Sequence, residues 1–146
     1  MRTRSVLVSL LGLAGSGLTG CGGPLLRTYQ AQTPTPAPDV YACVTEQFKA
    51  LGYSVESRDV PEQRITGRKY DTRATRPDVQ FRRLVARLEV DVDGGLADGG
   101  TGLRVAARTF AEYTRHRGPT EEEEQPSAQV QADARRIVER CGGSGQ

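Results

Sequence analysis

Few residues in this 146-residue chain are equipped for chemistry: three cysteines, one histidine and a run of four glutamates. His116 stands between Arg115 and Arg117, which repel a cation, and no Cys or His spacing fits zinc. Asp91-x-Asp93-Gly94 with Asp98 glances at an acidic ion loop. It lacks the remaining ligands and the terminal Glu of a calcium hand, and a hairpin turn accounts for it better. The glycines at 94, 95, 99, 100 and 102 follow neither a P-loop nor a dinucleotide fingerprint. No serine occupies a nucleophile elbow, and a lone histidine without a partner is a poor general base. The residues therefore predict no enzyme, no cofactor and no metal.

That leaves the cysteines. Arg2 and Arg4 form a short positive segment, Ser5 to Leu13 an apolar one, and Gly15, Ser16 and Gly17 are small. This is the build of a secretory signal, too short and too glycine-rich to span a bilayer. It ends in Leu18-Thr19-Gly20-Cys21, which resembles the bacterial lipobox at all four positions. The resemblance implies cleavage before Cys21, diacylation of its sulfur and an acylated new first residue. A buried free cysteine is the alternative. Acyl chains anchor strongly, at about 0.8 kcal/mol per buried methylene. Gly22 follows, not Asp; by the same resemblance this favours the outer membrane, facing the periplasm, over retention at the inner membrane.

With Cys21 assigned to lipid, Cys43 and Cys141 remain. Each lies on the apolar stripe of an expected helix, one near the start of the first and one at the end of the last. An envelope protein sits in a disulfide-permitting compartment, so a Cys43–Cys141 bond is expected, with two small buried hydrophobes as the alternative.

The elements that must position these residues follow from periodicity. Residues 1–20 read as the signal peptide and 21–38 as the lipidated cysteine and a tether. Pro34, Pro36 and Pro38 alternate with small residues there. As polyproline II the 22–38 segment reaches roughly 50 Å, while disorder with no set reach is the alternative. A domain over 39–142 begins at Asp39, an expected N-cap, and 143–146 reads as a flexible tail. Val40, Cys43, Val44, Phe48 and Leu51 repeat at helical spacing up to Gly52. Short strands are expected around 53–58 and 64–70, then two clean alternating ones. Leu84, Ala86, Leu88, Val90 and Val92 share one face of the third, and Leu103, Val105, Ala107, Thr109, Ala111 and Tyr113 one face of the fourth. Residues 116–126 read as a polar loop, and a last helix runs from about Ser127 to Arg140 before Gly142. The expected fold is α+β: helix, four strands, helix, with one four-stranded antiparallel sheet and both helices packed on one face.

If the helices cover one face, the other presents Arg68, Tyr70, Val85, Arg87, Arg104, Arg108 and Phe110. Arg with aromatics is the composition of interface anchors, although a merely solvated face is the alternative. The Glu121–Glu124 run reads as a solvated loop, with a basic patch on a partner as its other use. Nucleic acid is an unexpected partner, because removing Arg2 and Arg4 leaves 18 basic against 18 acidic side chains.

The stretch VYACVTEQFKALGYSVESRDVPEQRITGRKY carries a helix running into Leu51-Gly52-Tyr53-x-Val55, then Asp59, Gly67 and Tyr70. In this pattern, and in element order over 40–141, the chain resembles the helix-grip domains of the BAM-complex lipoprotein family. That resemblance implies an accessory role in envelope assembly. One domain here replaces that family's two, and Cys43, Cys141 and the glutamate run are additions. The function expected is a membrane-anchored interaction or scaffold module with envelope proteins as partners. The alternative is a binding protein for a small or peptidoglycan-derived ligand.

Overall fold

The computed structural model describes residues 23–143; the signal segment, Cys21 and residues 144–146 lie outside the described residues. Among the described residues eight elements follow one another: β1 (Arg27–Thr33), α1 (Ala37–Leu51), β2 (Ser54–Asp59), β3 (Arg64–Asp71), β4 (Phe81–Asp93), β5 (Thr101–Arg115), β6 (Gly118–Glu124) and α2 (Ala128–Cys141). The fold is α+β with two helices and one antiparallel sheet, but the sheet has six strands rather than the four expected. Its order is β1-β5-β4-β3-β2, with β6 also on β5. The long β5 hosts β1 along residues 101–107 and β6 along 109–115, so those two strands lie end to end on one edge.

Both extra strands fall in stretches expected to be irregular. Residues 27–33 are not tether but edge strand. Tyr29, Ala31 and Thr33 turn toward the helices, and this sparse apolar alternation carries little periodic signal. Residues 118–124 are not loop but strand, with carboxylates on both faces and no apolar alternation at all. Backbone pairing with β5 organises each of them. The first helix starts at Ala37, two residues before the expected cap. Pro36 takes the cap position without a side-chain hydrogen bond, and Pro38 lies in the first turn. Proline is tolerated there because the first-turn N–H groups have no intrahelical acceptor. Asp39 sits in that same turn, where the helix dipole favours a negative charge. At the other end Gly52 takes the left-handed conformation (φ 78°), as a helix stop requires.

One buried cluster joins Val40, Val44, Phe48 and Leu51 of α1, Val130, Ala134 and Ile137 of α2, and alternate strand residues Ile65, Leu88, Val90, Val92, Leu103, Val105 and Ala107. These strand residues share one face of the sheet, as their register requires. Gly67 belongs to the same face. A Cβ there would come within 2.5 Å of Phe48 Cε2, so only glycine lets the Phe48 ring lie on β3. Cys43 and Cys141 form the expected disulfide, with Cα atoms 5.7 Å apart, and tie α1 to the end of α2. For a closed loop near 100 residues this crosslink contributes about 4.7 kcal/mol in the chain-entropy treatment.

A polar cluster sits inside this otherwise apolar layer. Asp133 of α2 is buried at 3% exposure and accepts from the Tyr53 hydroxyl (3.0 Å), Lys69 Nζ (3.2 Å) and Gln129 Nε2 (2.8 Å). Its charge is therefore paired and hydrogen-bonded, the condition for burying a carboxylate. Burial first, and the Asp133 carboxylate second, push the Tyr53 hydroxyl well above the usual tyrosine range.

Candidate functional site

Among the described residues no helix lies on the opposite face of the sheet. Register places Arg68, Arg87 and Arg108 side by side across β3, β4 and β5. Like charges directly opposite each other repel, so the row needs compensation. Carboxylates from both edges of the sheet supply it. Glu56 is the extra residue of a bulge in β2, and bulges re-aim side chains. It reaches Arg68 (2.7 Å) and Arg87 (3.1 Å) together. From β6, Glu121 meets Arg87 (3.2 Å) and Arg68 (3.6 Å), and Glu123 meets Arg108 (3.0 Å).

The next row is Tyr70, Val85, Phe110 and Glu123. Val85 is wholly buried although it lies on the face without helices. Guanidiniums cover the rings on either side of it. Arg83 lies 3.6 Å from the Tyr70 centroid and Arg87 lies 4.6 Å from that of Phe110. Arg83 also binds Glu112 (3.0 Å), a carboxylate only 4% exposed. Arg68 donates from Nη1 to the Tyr70 hydroxyl (3.0 Å). That bond first, and the Glu56 and Glu121 charges after it, hold its guanidinium more firmly protonated. The result is a lattice in which every arginine plane faces a carboxylate, a ring or both.

Of the residues singled out from sequence, Arg68, Tyr70, Val85, Arg87, Arg108 and Phe110 come together in this patch. Arg104 shares the face but stands apart. It and Arg64 bracket Asp91, at the end of the sheet nearest the β4–β5 turn. A wide concavity of about 880 Å³ opens there, lined by Gln30, Gln32, Glu62, Arg64, Asp91, Leu96 and Arg104 among others. A second concavity of about 440 Å³ lies beside the start of α2, between Lys69, Arg73, Leu84, Ala86 and Gln129.

The glutamate run takes a different part from the one expected of it. Its four side chains alternate across β6. Glu121 and Glu123 join the lattice, while Glu122 meets Arg115 (2.9 Å) and Glu124 meets Arg76 (2.6 Å). The basic patch that the run matches is on its own sheet. The acidic loop residues are turn formers: Asp93 Oδ1 accepts from Gly95 N (2.8 Å) and Asp98 Oδ1 from Gly100 N (3.0 Å). His116 is exposed in the β5–β6 turn. Among the described residues no group of three His, Cys, Asp or Glu side chains is placed to hold a metal ion, and no helix is long and apolar enough to cross a membrane.

Sequence reasoning placed Glu112 opposite the apolar face without giving it a part in the site, and missed Glu56, Arg83 and Arg64 as members of this face and Asp133 with Tyr53 and Lys69 as a buried cluster. Strand alternation places Arg83 and Glu112 on the correct side. Nothing local signals the bulge that presents Glu56. No protein-family model matches the chain, and no curated protein matches it significantly. Function rests on the chemistry of these surfaces.

Proposed function

We propose that this protein is a bacterial envelope lipoprotein, anchored through acylated Cys21 to the periplasmic side of the outer membrane. Its domain works as a docking module for envelope proteins and carries out no catalysis. The observation that carries this reading is the lattice itself. A sheet face left uncovered by helices holds arginines and aromatics in fixed positions, and fixed anchors of these types lose little freedom when a partner binds. Internal carboxylates keep the face from being a bare positive patch, so it discriminates against generic polyanions. A partner gains a place by offering carboxylates or rings that exchange with Glu121 and Glu123, and the fork geometry of arginine sets the register. The LTGC sequence and the resemblance to BAM-complex lipoproteins support the location.

The test is crosslinking of the acylated protein in its own envelope, with mass spectrometry of the captured proteins. Two variants are compared with the parent, R87E/R108E and the charge-swapped pair R87E/E121R. Both are checked for an intact Cys43–Cys141 bond and an unchanged circular dichroism spectrum. Specific envelope proteins are expected with the parent, and their loss with both variants. Identical capture by the parent and both folded variants would remove the sheet face from the function.

A second reading, binding of a small or peptidoglycan-derived ligand, draws support from the 880 Å³ concavity, where Arg64 and Arg104 flank Asp91 beside Gln30 and Gln32. Its lining mixes charged and amide side chains with aliphatic ones such as Leu96 and holds no aromatic ring, which suits a polar fragment with a small apolar part. No specific capture in the envelope, together with a small molecule co-purifying with the domain and lost in R64A/R104A, would favour it over docking.

A further inference from the structure

The start of β1 changes where the domain stands relative to its anchor. A loose tether over 22–38 would hold the domain clear of the bilayer. Instead β1 takes residues 27–33, and the chain is already against the domain at Gly23. A Cβ on Gly23 would lie 2.7 Å from Gln125 Nε2, in the corner between β6 and α2. Cys21 is two residues earlier in the sequence, and consecutive Cα atoms are 3.8 Å apart, so the chain between them can span at most about 8 Å. On the lipoprotein reading, acyl chains on Cys21 would be tethered to this corner by that short span.

The corner is built to bear a contact. Ser127 N donates to Thr109 Oγ1 (2.9 Å), and the Ser127 hydroxyl caps α2 at Val130 N (3.3 Å). Gln131 Nε2 donates to the Pro126 carbonyl (2.8 Å), while the Tyr29 hydroxyl donates to Gln131 Oε1 (3.1 Å). These bonds fix the start of α2 to β1 and β5. Between Cys21 and β1 stand Leu25 and Leu26, exposed at 47% and 38%. Arg27 is exposed beside them, and Arg135 lies over the Tyr29 ring (5.6 Å) on the adjoining flank. Exposed leucines with flanking arginines, next to an acylated residue, match a phospholipid headgroup layer: acyl-side contact for the leucines and lipid phosphates for the guanidiniums.

The geometry points to the β6–α2 corner, with Leu25 and Leu26, resting on the phospholipid headgroup surface; this inference rests on the lipoprotein reading above. It gives the domain one orientation. The β1/β6 edge of the sheet is nearest the membrane and β2 is farthest, about 19 Å away at four strand spacings. The arginine–carboxylate lattice then faces sideways along the membrane, open to a neighbour in the same leaflet.

The chain has no tryptophan, so a single introduced one reports position cleanly. The full-length acylated protein is placed in vesicles of phosphatidylethanolamine and phosphatidylglycerol with brominated acyl chains, which quench indole on contact. A128W reports the corner, remote in sequence from the anchor, and V60W reports the far β2–β3 turn, where Val60 is 63% exposed. Quenching of A128W roughly threefold stronger than that of V60W is expected, and L25S/L26S is expected to lower it by about half. Equal quenching of A128W and V60W in acylated protein would overturn the docked orientation while leaving the lipoprotein reading intact. Unchanged A128W quenching in L25S/L26S would remove the leucines from the contact. Intact mass separates the two levels: a protein purified from the envelope without acyl groups on Cys21 would overturn the lipoprotein reading itself.

Discussion

Arg87 and Leu88 are neighbours in β4, yet they belong to two different kinds of surface. On the side of Leu88, two helices, a disulfide and a layer of aliphatic side chains exclude water, and the buried Asp133 admitted there is partnered by Tyr53, Lys69 and Gln129. On the side of Arg87, no helix among the described residues covers the sheet, and order comes from guanidiniums threaded between carboxylates and rings. Both faces are ordered, by forces of unequal strength. Burial of apolar area contributes roughly 1.5–3 kcal/mol for each large side chain, whereas a partly exposed ion pair contributes about 0–1 kcal/mol. The covered face therefore holds the fold, and the open face holds a pattern. A surface whose pairs are individually weak can exchange them with a partner at little cost to folding.

The comparison breaks first, and by the largest amount, at the crosslink. C43S/C141S is expected to lose about 4 kcal/mol in urea unfolding, with the lattice arginines unaffected in the native state. A loss below about 1 kcal/mol would mean that the apolar layer holds the helices without the bond.

A smaller effect is expected at the polar cluster of the covered face. Asp133→Ala leaves the buried Tyr53 hydroxyl and Lys69 without their acceptor and is expected to cost about 2–3 kcal/mol. The pH dependence has a definite sign. The folded state raises the Tyr53 pKa, so the native protein binds this proton more tightly than the unfolded chain does. That contribution is complete below about pH 10, the unfolded tyrosine value, and is lost as pH climbs toward the folded one. Urea midpoints measured from neutral to strongly alkaline pH are expected to fall above this point. Tyrosinate absorbance from Tyr53 is expected only together with unfolding; its appearance in the native protein would mean the cluster is open to solvent.

The smallest effect sharpens the other side. Glu121→Gln removes one carboxylate shared by Arg68 and Arg87 and is expected to cost under about 1 kcal/mol at low salt. Screening at about 1 M salt, where the Debye length is near 3 Å, is expected to erase most of the difference. A loss of several kcal/mol that persisted in high salt would show that the lattice carries the fold as the core does.

Much of the covered face could be read from the chain. The 3.6-residue spacing of Val40, Val44, Phe48 and Leu51, and the strict alternation from Leu84 to Val92, encode burial locally, because the period of the apolar residues is the period of the backbone. A cysteine near the start of one apolar stripe and another at the end of the second also made the Cys43–Cys141 bond legible. The edges were illegible for the opposite reason. Neither Arg27–Thr33 nor Gly118–Glu124 carries enough apolar alternation to declare a strand, and both owe their conformation to hydrogen bonds with β5.

The same division applies to the candidate site. Alternation alone places Arg68, Tyr70, Val85, Arg87, Arg104, Arg108 and Phe110 on one face, since side chains of a strand point to opposite sides in turn. What those arginines meet was decided elsewhere. Glu56 reaches them only through a bulge, and Glu121 and Glu123 only because β6 lies along the second half of β5. By itself the sequence determined the helices, the central strands, the two helical cysteines that pair and the side of the sheet each residue faces, because these depend on neighbours a few positions apart. Tertiary structure alone decided that the glutamate run closes over its own arginines and that the chain after Cys21 joins the sheet almost at once. Both outcomes depend on which edge of β5 was left unpaired, and an unpaired backbone edge leaves no mark in the side chains that flank it.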